Sequence, residues 1–334
     1  MKIPLVLFKF FCILLISCFL GSCGQQRTHD IDFYYWRSNF KITPTEQKAV
    51  EDLKVKNIYI RLFDVDKKGN QALPVGTIHH FDATQLSVKY IPTVFITNRT
   101  FVEMNREEVL KLTQNVNSLV NSISKSGQLD FFSEIQIDCD WTQSTRQNYF
   151  LFLEELKKIS GKNISATLRL HQVKFRQKEG IPPLDKMVLM CYATENPHDV
   201  KEKNSILDLE LAKDYLQDLD QYPIQLDVAL PIYSWAIITN HLGKIKLVNS
   251  FTIEDLEGQP VKEVGKGLYE VEEDFFIQNI YLSKGFKIKV ENISSELLKQ
   301  TISFLDQKIK KDYSIVYYHL DEKLLKNYHL NILQ

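Results

Sequence analysis

Apolar residues recur along most of this chain in short runs that alternate with helical patterns. The apolar runs predict eight strands, over residues 33–38, 57–64, 90–97, 134–142, 164–171, 187–192, 224–233 and 314–320. Amphipathic periodicity predicts helices between them, over residues 43–55, 106–124, 144–159, 207–219 and 295–310. The polar stretch 66–86 contains glycine and proline and is predicted to be a long loop.

The order of these elements predicts an α/β fold. Eight strands separated by helices over this length are typical of a (β/α)8 TIM-like barrel. A doubly wound open sheet is the alternative, but no glycine-rich phosphate loop follows any predicted strand. Residues 236–293 do not fit the repeat, and their short alternating runs predict a β-rich insertion between strands seven and eight.

The fourth predicted strand, EIQIDCDWT at residues 134–142, has a polar side as well as an apolar side. Successive side chains of a strand point to opposite faces, so the polar residues of this strand share one face. That face contains Glu134, Gln136, Asp138 and Asp140. Buried carboxylates are costly unless they are paired or used, so the pattern predicts partners or chemistry inside the barrel.

The same alternation predicts which side chains of the other strands point inward. The inward set is Tyr59, Arg61 and Phe63 on strand two, Thr167, Arg169 and His171 on strand five, and Gln225 and Asp227 on strand seven. We therefore predict that the carboxylates of strand four meet Arg61, Arg169 and His171 in one shared interior. For the deep residues Gln136, Arg61 and Asp227, a network that only fixes the barrel geometry is the alternative.

Ligands of such barrels bind at the carboxyl ends of the strands. The residues expected there are Asp140, Trp141, His171, Tyr192, Tyr233 and Trp235. For Trp235, packing against the insertion is the alternative. The pair His79-His80 does not predict a metal site, because neighbouring residues of an extended chain point to opposite sides. We expect neither a metal nor a cofactor.

The amino terminus predicts export and lipidation. Residues 3–16 form an apolar run shorter than the roughly 20 residues of a spanning helix, which predicts a secretory signal. The tetrad LGSC at 20–23 resembles the bacterial lipobox, whose cysteine is acylated; LISC at 15–18 also fits, but cleavage there would leave two apolar residues beside the anchor. We predict a signal peptide over 1–22, acylation of Cys23, a tether over 23–30 and a barrel over 31–334. An uncleaved membrane anchor is the alternative.

Composition narrows the range of partners. The 41 basic and 42 acidic residues give a net charge of −1, which offers no electrostatic case for nucleic acid or anionic lipid. Besides Cys23, two cysteines lie beyond the signal, Cys139 and Cys191, on predicted strands separated by a third strand. That separation is about 10 Å, too far for a disulfide, so the exported protein is predicted to rely on its core.

Two short elements resemble the chitinase-type glycoside hydrolases. The pentapeptide DCDWT at 138–142 is similar to the end of that family's motif on barrel strand four, and MCYA at 190–193 resembles its Met-x-Tyr-Asp element on strand six. Thr142 replaces the family's acid glutamate and Ala193 replaces its aspartate. Threonine cannot protonate a glycosidic oxygen, so the resemblance implies substrate-orienting roles for Asp138, Asp140 and Tyr192 only.

Over the whole mature chain, the phrases IQIDCDWT, LRLHQ and LDVALPIYSW resemble a family of Gram-negative lipoproteins with a glycosidase-like barrel and no assigned activity. The first hypothesis is a lipid-anchored, glycoside hydrolase-like enzyme of the cell envelope, at the outer membrane, acting on a glycan or peptidoglycan fragment. Asp140 would be its acid/base and Asp138 the partner. The substrate contacts would be Arg61, Arg169, His171, Tyr192, Tyr233 and Trp235. The alternatives are a non-catalytic glycan-binding lipoprotein and a protein whose insertion docks a partner.

Overall fold

The computed structural model describes residues 27–69, 71–197 and 203–334. The predicted signal peptide and Cys23 lie outside the described residues and remain predictions. In the described part, the strands are β1 (Ile31–Tyr35), β2 (Asn57–Lys68), β3 (Gln71–Val75), β4 (Lys89–Ile96), β5 (Glu134–Asp138), β6 (Asn163–Arg169), β7 (Lys186–Met190), β8 (Gln225–Pro231), β9 (Trp235–Thr239), β10 (Ile245–Asn249), β11 (Val261–Gly265), β12 (Leu268–Val271), β13 (Phe275–Ile277), β14 (Ile280–Leu282), β15 (Lys287–Glu291) and β16 (Ile315–Tyr318).

Eight of these strands form a closed parallel ring. The ring order is β1, β2, β4, β5, β6, β7, β8 and β16, and β16 pairs back onto β1. Every neighbouring pair in the ring is parallel. The predicted (β/α)8 barrel is therefore confirmed, and the eight predicted strands are the eight strands of the ring.

Helices cover the outside of this ring. Their bounds are α1 (Pro44–Asp52), α2 (Arg106–Ser126), α3 (Arg146–Ser160), α4 (Leu170–Lys174), α5 (Arg176–Glu179), α6 (Leu209–Tyr215), α7 (Ser295–Lys308) and α8 (Glu322–Leu325). The start of α1 shows how the sequence fixes a helix end. Thr43 Oγ1 accepts a hydrogen bond from the Glu46 backbone N–H (3.3 Å), while Glu46 Oε2 accepts one from the Thr43 N–H (3.0 Å).

The pleat of the strands separates two interiors. Outward residues such as Ile58, Ile60 and Leu168 are fully buried in a large apolar core between strands and helices. Inward residues such as Tyr34 and Tyr59 form a second, smaller core within the ring. The two faces differ because successive side chains alternate across the strand, as the sequence pattern predicts.

The predicted β-rich insertion is a separate layer after the seventh ring strand. The strands β10, β9, β15, β12 and β11 form an antiparallel sheet in that order, and β13 and β14 form a hairpin. Its own apolar core includes Ala236, Phe251, Leu282 and Ile288. Because β9 and β15 pair along their whole length, the two ends of the insertion leave the barrel side by side.

The predicted loop over residues 66–86 is only partly correct. Strand β2 continues to Lys68 and turns into β3, which pairs antiparallel with β2 from Asp64↔Val75 to Lys68↔Gln71. Gly69 supplies the turn with a positive φ of 58°. The polar composition of β3, an edge strand outside the ring, hid it from the sequence pattern.

A β-bulge in β2 makes the prediction for Phe63 wrong. The β2–β4 register is Arg61↔Thr93 and then Phe63↔Val94, so β2 contains one extra residue at this point. The extra residue reverses the alternation after Arg61. Phe63 consequently lies in the outer core rather than inside the ring, and Asp64 takes an inward position.

Two further features bear on expectations from the sequence. Cys139 and Cys191 directly follow β5 and β7, the two strands that flank β6; both are buried in the outer core and form no disulfide, as predicted. In the part of the chain that the structure describes, none of the helices combines the length and the apolarity that a bilayer crossing requires.

Gly76 and Gly69 provide a matched test of how the hairpin holds Arg61. Both have a φ of 58°, but a Cβ on Gly76 would stand 2.5 Å from Arg61 Nη2, whereas a Cβ on Gly69 meets nothing within 4 Å. We expect Gly69→Ala to lower the free energy of unfolding by about 1 kcal/mol from backbone strain alone. Gly76→Ala should cost about 2–3 kcal/mol, because it also displaces Arg61. Urea denaturation measures both, and equal losses would contradict the proposed contact.

Candidate functional site

A cavity of about 540 Å³ opens at the carboxyl ends of the ring strands. Its volume is within the range of small-molecule sites, and its position is the one at which barrels of this class bind ligands. Polar groups on one side face aromatic rings on the other. The residues that define it include Trp36, Arg61, Asp138, Asp140, Arg169 and Trp235.

Asp138 ends strand β5 and is the deepest carboxylate of this cavity. Only 8% of the residue is exposed, and its Oδ1 accepts a hydrogen bond from Thr167 Oγ1 at 2.7 Å. Burial, assisted by the nearby Asp140, raises the pKa of Asp138 to about 7 against the opposing effects of Thr167 and Arg169. The side chain can therefore hold a proton near neutral pH.

Asp140 and Arg169 form an ion pair across the ends of β5 and β6. Arg169 Nε lies 3.4 Å from Asp140 Oδ1, and the Asp140 side chain is half exposed. Burial alone would lower the pKa of Arg169, but Asp140 and other groups outweigh it and raise that pKa. The predicted meeting of a strand-four carboxylate with Arg169 is thus observed.

Arg61 lines the same cavity but has a different partner from the one expected. Its Nε and Nη2 contact the two carboxylate oxygens of Asp64, each at 2.6 Å. Arg61 Nη1 also donates to Ser38 Oγ at 3.3 Å. The bulge in β2 places Asp64 beside Arg61, so a bidentate pair within one strand replaces the predicted pairing with strand four.

Aromatic rings form the opposite wall. Tyr192, Tyr233 and Trp235 line the cavity at the positions expected from the sequence. The Tyr233 ring lies 5.4 Å from Trp235 and 5.7 Å from Tyr318, centroid to centroid. Trp36 continues the wall, with its ring 5.8 Å from that of Tyr318. A nearly continuous aromatic surface therefore faces the polar groups.

The insertion fixes the orientation of Trp235. Trp235 and Glu291 are cross-strand partners on β9 and β15, and Trp235 Nε1 donates to Glu291 Oε2 at 2.8 Å. The buried Glu291 also accepts a hydrogen bond from the Ser205 N–H (3.1 Å) and pairs with Lys289 (2.6 Å). The insertion contributes Asn249 to the cavity rim as well. It is thus part of the site wall.

His171 and Trp141 do not line this cavity. His171 lies in helix α4 and is half buried, and burial lowers its pKa. Trp141 is fully buried outside the ring, where it stacks on Tyr149 at 5.3 Å. Strand β6 ends before His171, so the alternation that placed His171 inward no longer applies there. Trp141 was expected at the rim because it follows β5, but it continues the outward side of Ile137 and Cys139 into the outer core.

The deep polar residues form a separate group at the amino ends of the strands. Lys186 Nζ lies 3.1 Å from Asp227 Oδ2 and 3.5 Å from Glu134 Oε2. Gln136 is fully buried between this group and the cavity. The polar face of EIQIDCDWT is therefore divided: Glu134 belongs to one end of the barrel, whereas Asp138 and Asp140 belong to the other.

The two departures from the chitinase-type motif have structural consequences. The Thr142 side chain lies outside the cavity, where its Oγ1 contacts Ser144 Oγ at 3.0 Å and Asn98 Nδ2 at 3.4 Å. Ala193 offers no polar group after Tyr192. Neither position therefore supplies a carboxylate to the cavity.

Sequence reasoning missed several lining residues for different reasons. Alternation along β1 and β16 would have found Trp36 and Tyr318, because Tyr34 and Val316 share their inward face. No sequence signal marks Asp64, since the bulge reverses the parity. The positions of His319 and Asn249 depend on how loops and the insertion fold back onto the barrel.

Within residues 27–69, 71–197 and 203–334, no group of three or more His, Cys, Asp or Glu side chains is arranged to hold a metal ion.

The fold and the cavity define a (β/α)8 barrel protein with a candidate ligand site at the carboxyl ends of its strands. No protein-family model matches the sequence, and no curated protein matches it either. Solved structures share the fold. The spore cortex-lytic enzyme SleL of Bacillus cereus has a TM-score of 0.54 and 14% identity, over 92% of this chain and 76% of that one.

Two chitinases are similar to this chain in the same way. For the chitinase of Chromobacterium violaceum ATCC 12472 the TM-score is 0.54, with 10% identity over 92% of this chain and 98% of that one. For the GH18 chitinase ChiB of Flavobacterium johnsoniae it is 0.52, with 11% identity over 92% and 93%. At such identities the likeness establishes the fold alone, and the barrel expected from the sequence is confirmed.

The raised pKa of Asp138 predicts a pH-dependent stability. The folded protein binds this proton more tightly than the unfolded chain, so the stabilisation is complete below pH 3.8 and is lost as the pH rises through about 7. Asp138→Asn mimics the protonated form. We expect the free energy of unfolding of the variant, relative to that of the parent, to rise by about 2 kcal/mol from about pH 5 to about pH 8. Urea denaturation at both pH values measures this, with exposed Asp220→Asn as the control. A parallel pH dependence of Asp138→Asn and the parent would contradict the assignment.

Proposed function

We propose that this protein binds a glycan in the cavity at the carboxyl ends of its barrel strands. The single observation that supports this most strongly is the division of the cavity into an aromatic wall and a polar wall. A pyranose has an apolar face of C–H groups and a rim of hydroxyls, so it needs a ring to stack on and charged or polar groups to hydrogen-bond. The stacking surface is offered by Trp235 and Tyr233. The hydrogen-bonding groups are those of Asp138, Asp140 and Arg169.

The class of glycan is proposed from chemistry and from the fold neighbours together. A spore cortex-lytic enzyme and several chitinases share this barrel. We propose a peptidoglycan fragment or a related amino-sugar oligosaccharide as the ligand. Binding rather than cleavage is favoured, because Thr142 and Ala193 leave the cavity without the acid glutamate and the aspartate that the chitinase-type motifs would place there.

The location of the protein is proposed from the sequence. The apolar segment and the tetrad LGSC at 20–23 support cleavage before Cys23, acylation of that cysteine, and attachment to the outer membrane of a bacterial cell envelope. A lipid-anchored barrel of this kind would meet glycans of the envelope at short range.

The binding proposal predicts a specific pattern among variants. Titration calorimetry with chitin oligosaccharides and muropeptides should give a measurable dissociation constant for the parent. Trp235→Ala should weaken it at least about tenfold, since a lost stacking surface is worth about 1.4 kcal/mol or more. Asp140→Asn should change it by less than about threefold, because an amide still hydrogen-bonds to hydroxyls. Phe276→Ala, an exposed aromatic residue of the insertion outside the cavity, is the matched control.

Failure of the parent to bind any of these glycans would overturn the binding proposal. The same holds if Trp235→Ala binds as tightly as the parent. Either result would favour a protein-interaction role for the insertion, which exposes Leu242 and Phe276 on its surface.

Hydrolysis is the second candidate, and the pKa of Asp138 favours it. A carboxyl with a pKa of about 7 beside the carboxylate Asp140 has the character of an acid paired with a second carboxylate. We expect any release of reducing ends from peptidoglycan to fall at least about 100-fold in Asp138→Asn and in Asp140→Asn. Glu263→Gln, on exposed β11, is the control. A parent preparation that releases no reducing ends, or activity that survives in both variants, would exclude this mechanism.

A further inference from the structure

The chain enters the barrel on the side opposite the cavity. Arg27, the first described residue, donates from Nη1 to the carbonyl oxygen of Ile309 at 2.7 Å, and its guanidinium lies 5.3 Å from the centre of the Tyr313 ring. It also pairs with Asp312 at 2.9 Å. All three partners belong to the connection from α7 to β16, at the amino ends of the ring strands. The position of residue 27 is therefore fixed on that face.

The reach of the tether limits where an anchor on Cys23 can be. Four residue steps separate Cys23 from Arg27. A fully extended chain covers at most about 3.6 Å per step, or about 14 Å in total. A ring strand of seven residues such as β6 is longer, at about 23 Å. A lipid on Cys23 must therefore lie near the amino ends of the strands and cannot reach the mouth of the cavity.

The same face has a local excess of positive charge, which the net charge of the whole chain does not reveal. Connections that follow a helix and precede a ring strand lie here. Their acidic residues Asp30, Asp185, Asp218 and Asp312 are paired with basic partners. Asp130 and Asp220 are exposed and form no ion pair within the described ranges. Five lysines outnumber these two free carboxylates and likewise form no ion pair with any residue of the described ranges, namely Lys54, Lys89, Lys162, Lys310 and Lys311.

An exposed aromatic residue completes this face. Phe131 is 77% exposed in the connection between α2 and β5, whereas its neighbour Phe132 packs into the core. Lys162 Nζ lies 5.4 Å from the centre of the Phe131 ring. An aromatic side chain beside a lysine suits the boundary between lipid headgroups and acyl chains, where both find partners. We call Phe131 and the five lysines the amino-end face.

We propose that the amino-end face docks on an anionic phospholipid surface, so that the glycan cavity opens away from the membrane. The proposal rests on the lipid anchor of the proposed function for its geometry, and on the unpaired lysines and Phe131 for its chemistry. The net charge of −1 would not draw the whole protein to such a surface. Docking therefore depends on the local excess of lysine, and salt should weaken it.

The test uses the protein from Cys23 onward as Cys23→Ser, so that no lipid contributes. Co-sedimentation should show binding to vesicles with about one third phosphatidylglycerol and none to phosphatidylcholine vesicles. Lys162→Glu with Lys310→Glu and Lys311→Glu should lower the partition coefficient at least about tenfold, and Phe131→Ser about threefold. The control variant has the same charge change on the insertion, Lys262→Glu with Lys266→Glu and Lys284→Glu. It should retain at least half of the parent's partition coefficient.

Two results would overturn docking: no binding to the anionic vesicles, or an equal loss in the insertion control. Incorporation of labelled palmitate into the full chain, compared with Cys23→Ser, tests the anchor separately. If no palmitate is incorporated, the lipid anchor on Cys23 is ruled out, whereas the vesicle experiment still tests docking of the protein itself. Glycan affinity that is unchanged on vesicle-bound protein supports a cavity facing away from the bilayer, and a loss of at least about tenfold would overturn that orientation.

Discussion

Closure of eight parallel strands into a ring is the constraint on which the other features of this protein depend. Once β16 pairs with β1, no strand of the ring has a free edge, and every ring residue must face either the helices or the interior. Apolar residues fill the outer layer, so the polar residues of β2, β5 and β6 are forced into the interior. The position of Asp138 and Arg169 follows from that closure rather than from any local preference.

The burial of ionisable side chains inside the ring then determines how the cavity is organised. Each arginine that lines it has a carboxylate partner, Asp64 for Arg61 and Asp140 for Arg169. Asp138 forms no ion pair with an arginine of the described residues, and its burial is offset by a raised pKa of about 7 and by a hydrogen bond from Thr167. A site that combines ion pairs with a carboxyl able to hold a proton near neutral pH can hydrogen-bond an uncharged polyol.

The two ends of the barrel have different roles in this account. The carboxyl ends hold the cavity, and the insertion extends its wall through Trp235, which Glu291 holds in place. The amino ends contain the separate network of Lys186 and Asp227, the entry of the chain at Arg27, and the amino-end face. A parallel barrel separates its ends by the length of its strands, so the proposed glycan binding and the proposed membrane attachment need not compete for the same surface.

The sequence by itself determined the barrel, the insertion, and the inward positions of Asp138, Arg169 and Arg61, because period-two alternation is a local property of extended chain. It equally determined that Thr142 and Ala193 leave the chitinase-type motif incomplete. Only the tertiary structure decided the partner of Arg61, since one extra residue in β2 reversed the alternation and brought in Asp64. It also decided that His171 leaves the site, because β6 ends before it, that Trp141 packs in the outer core, and that Glu291, distant in sequence, holds Trp235. Strand ends, bulges and insertions are settled by packing between distant segments, and local patterns do not contain that information.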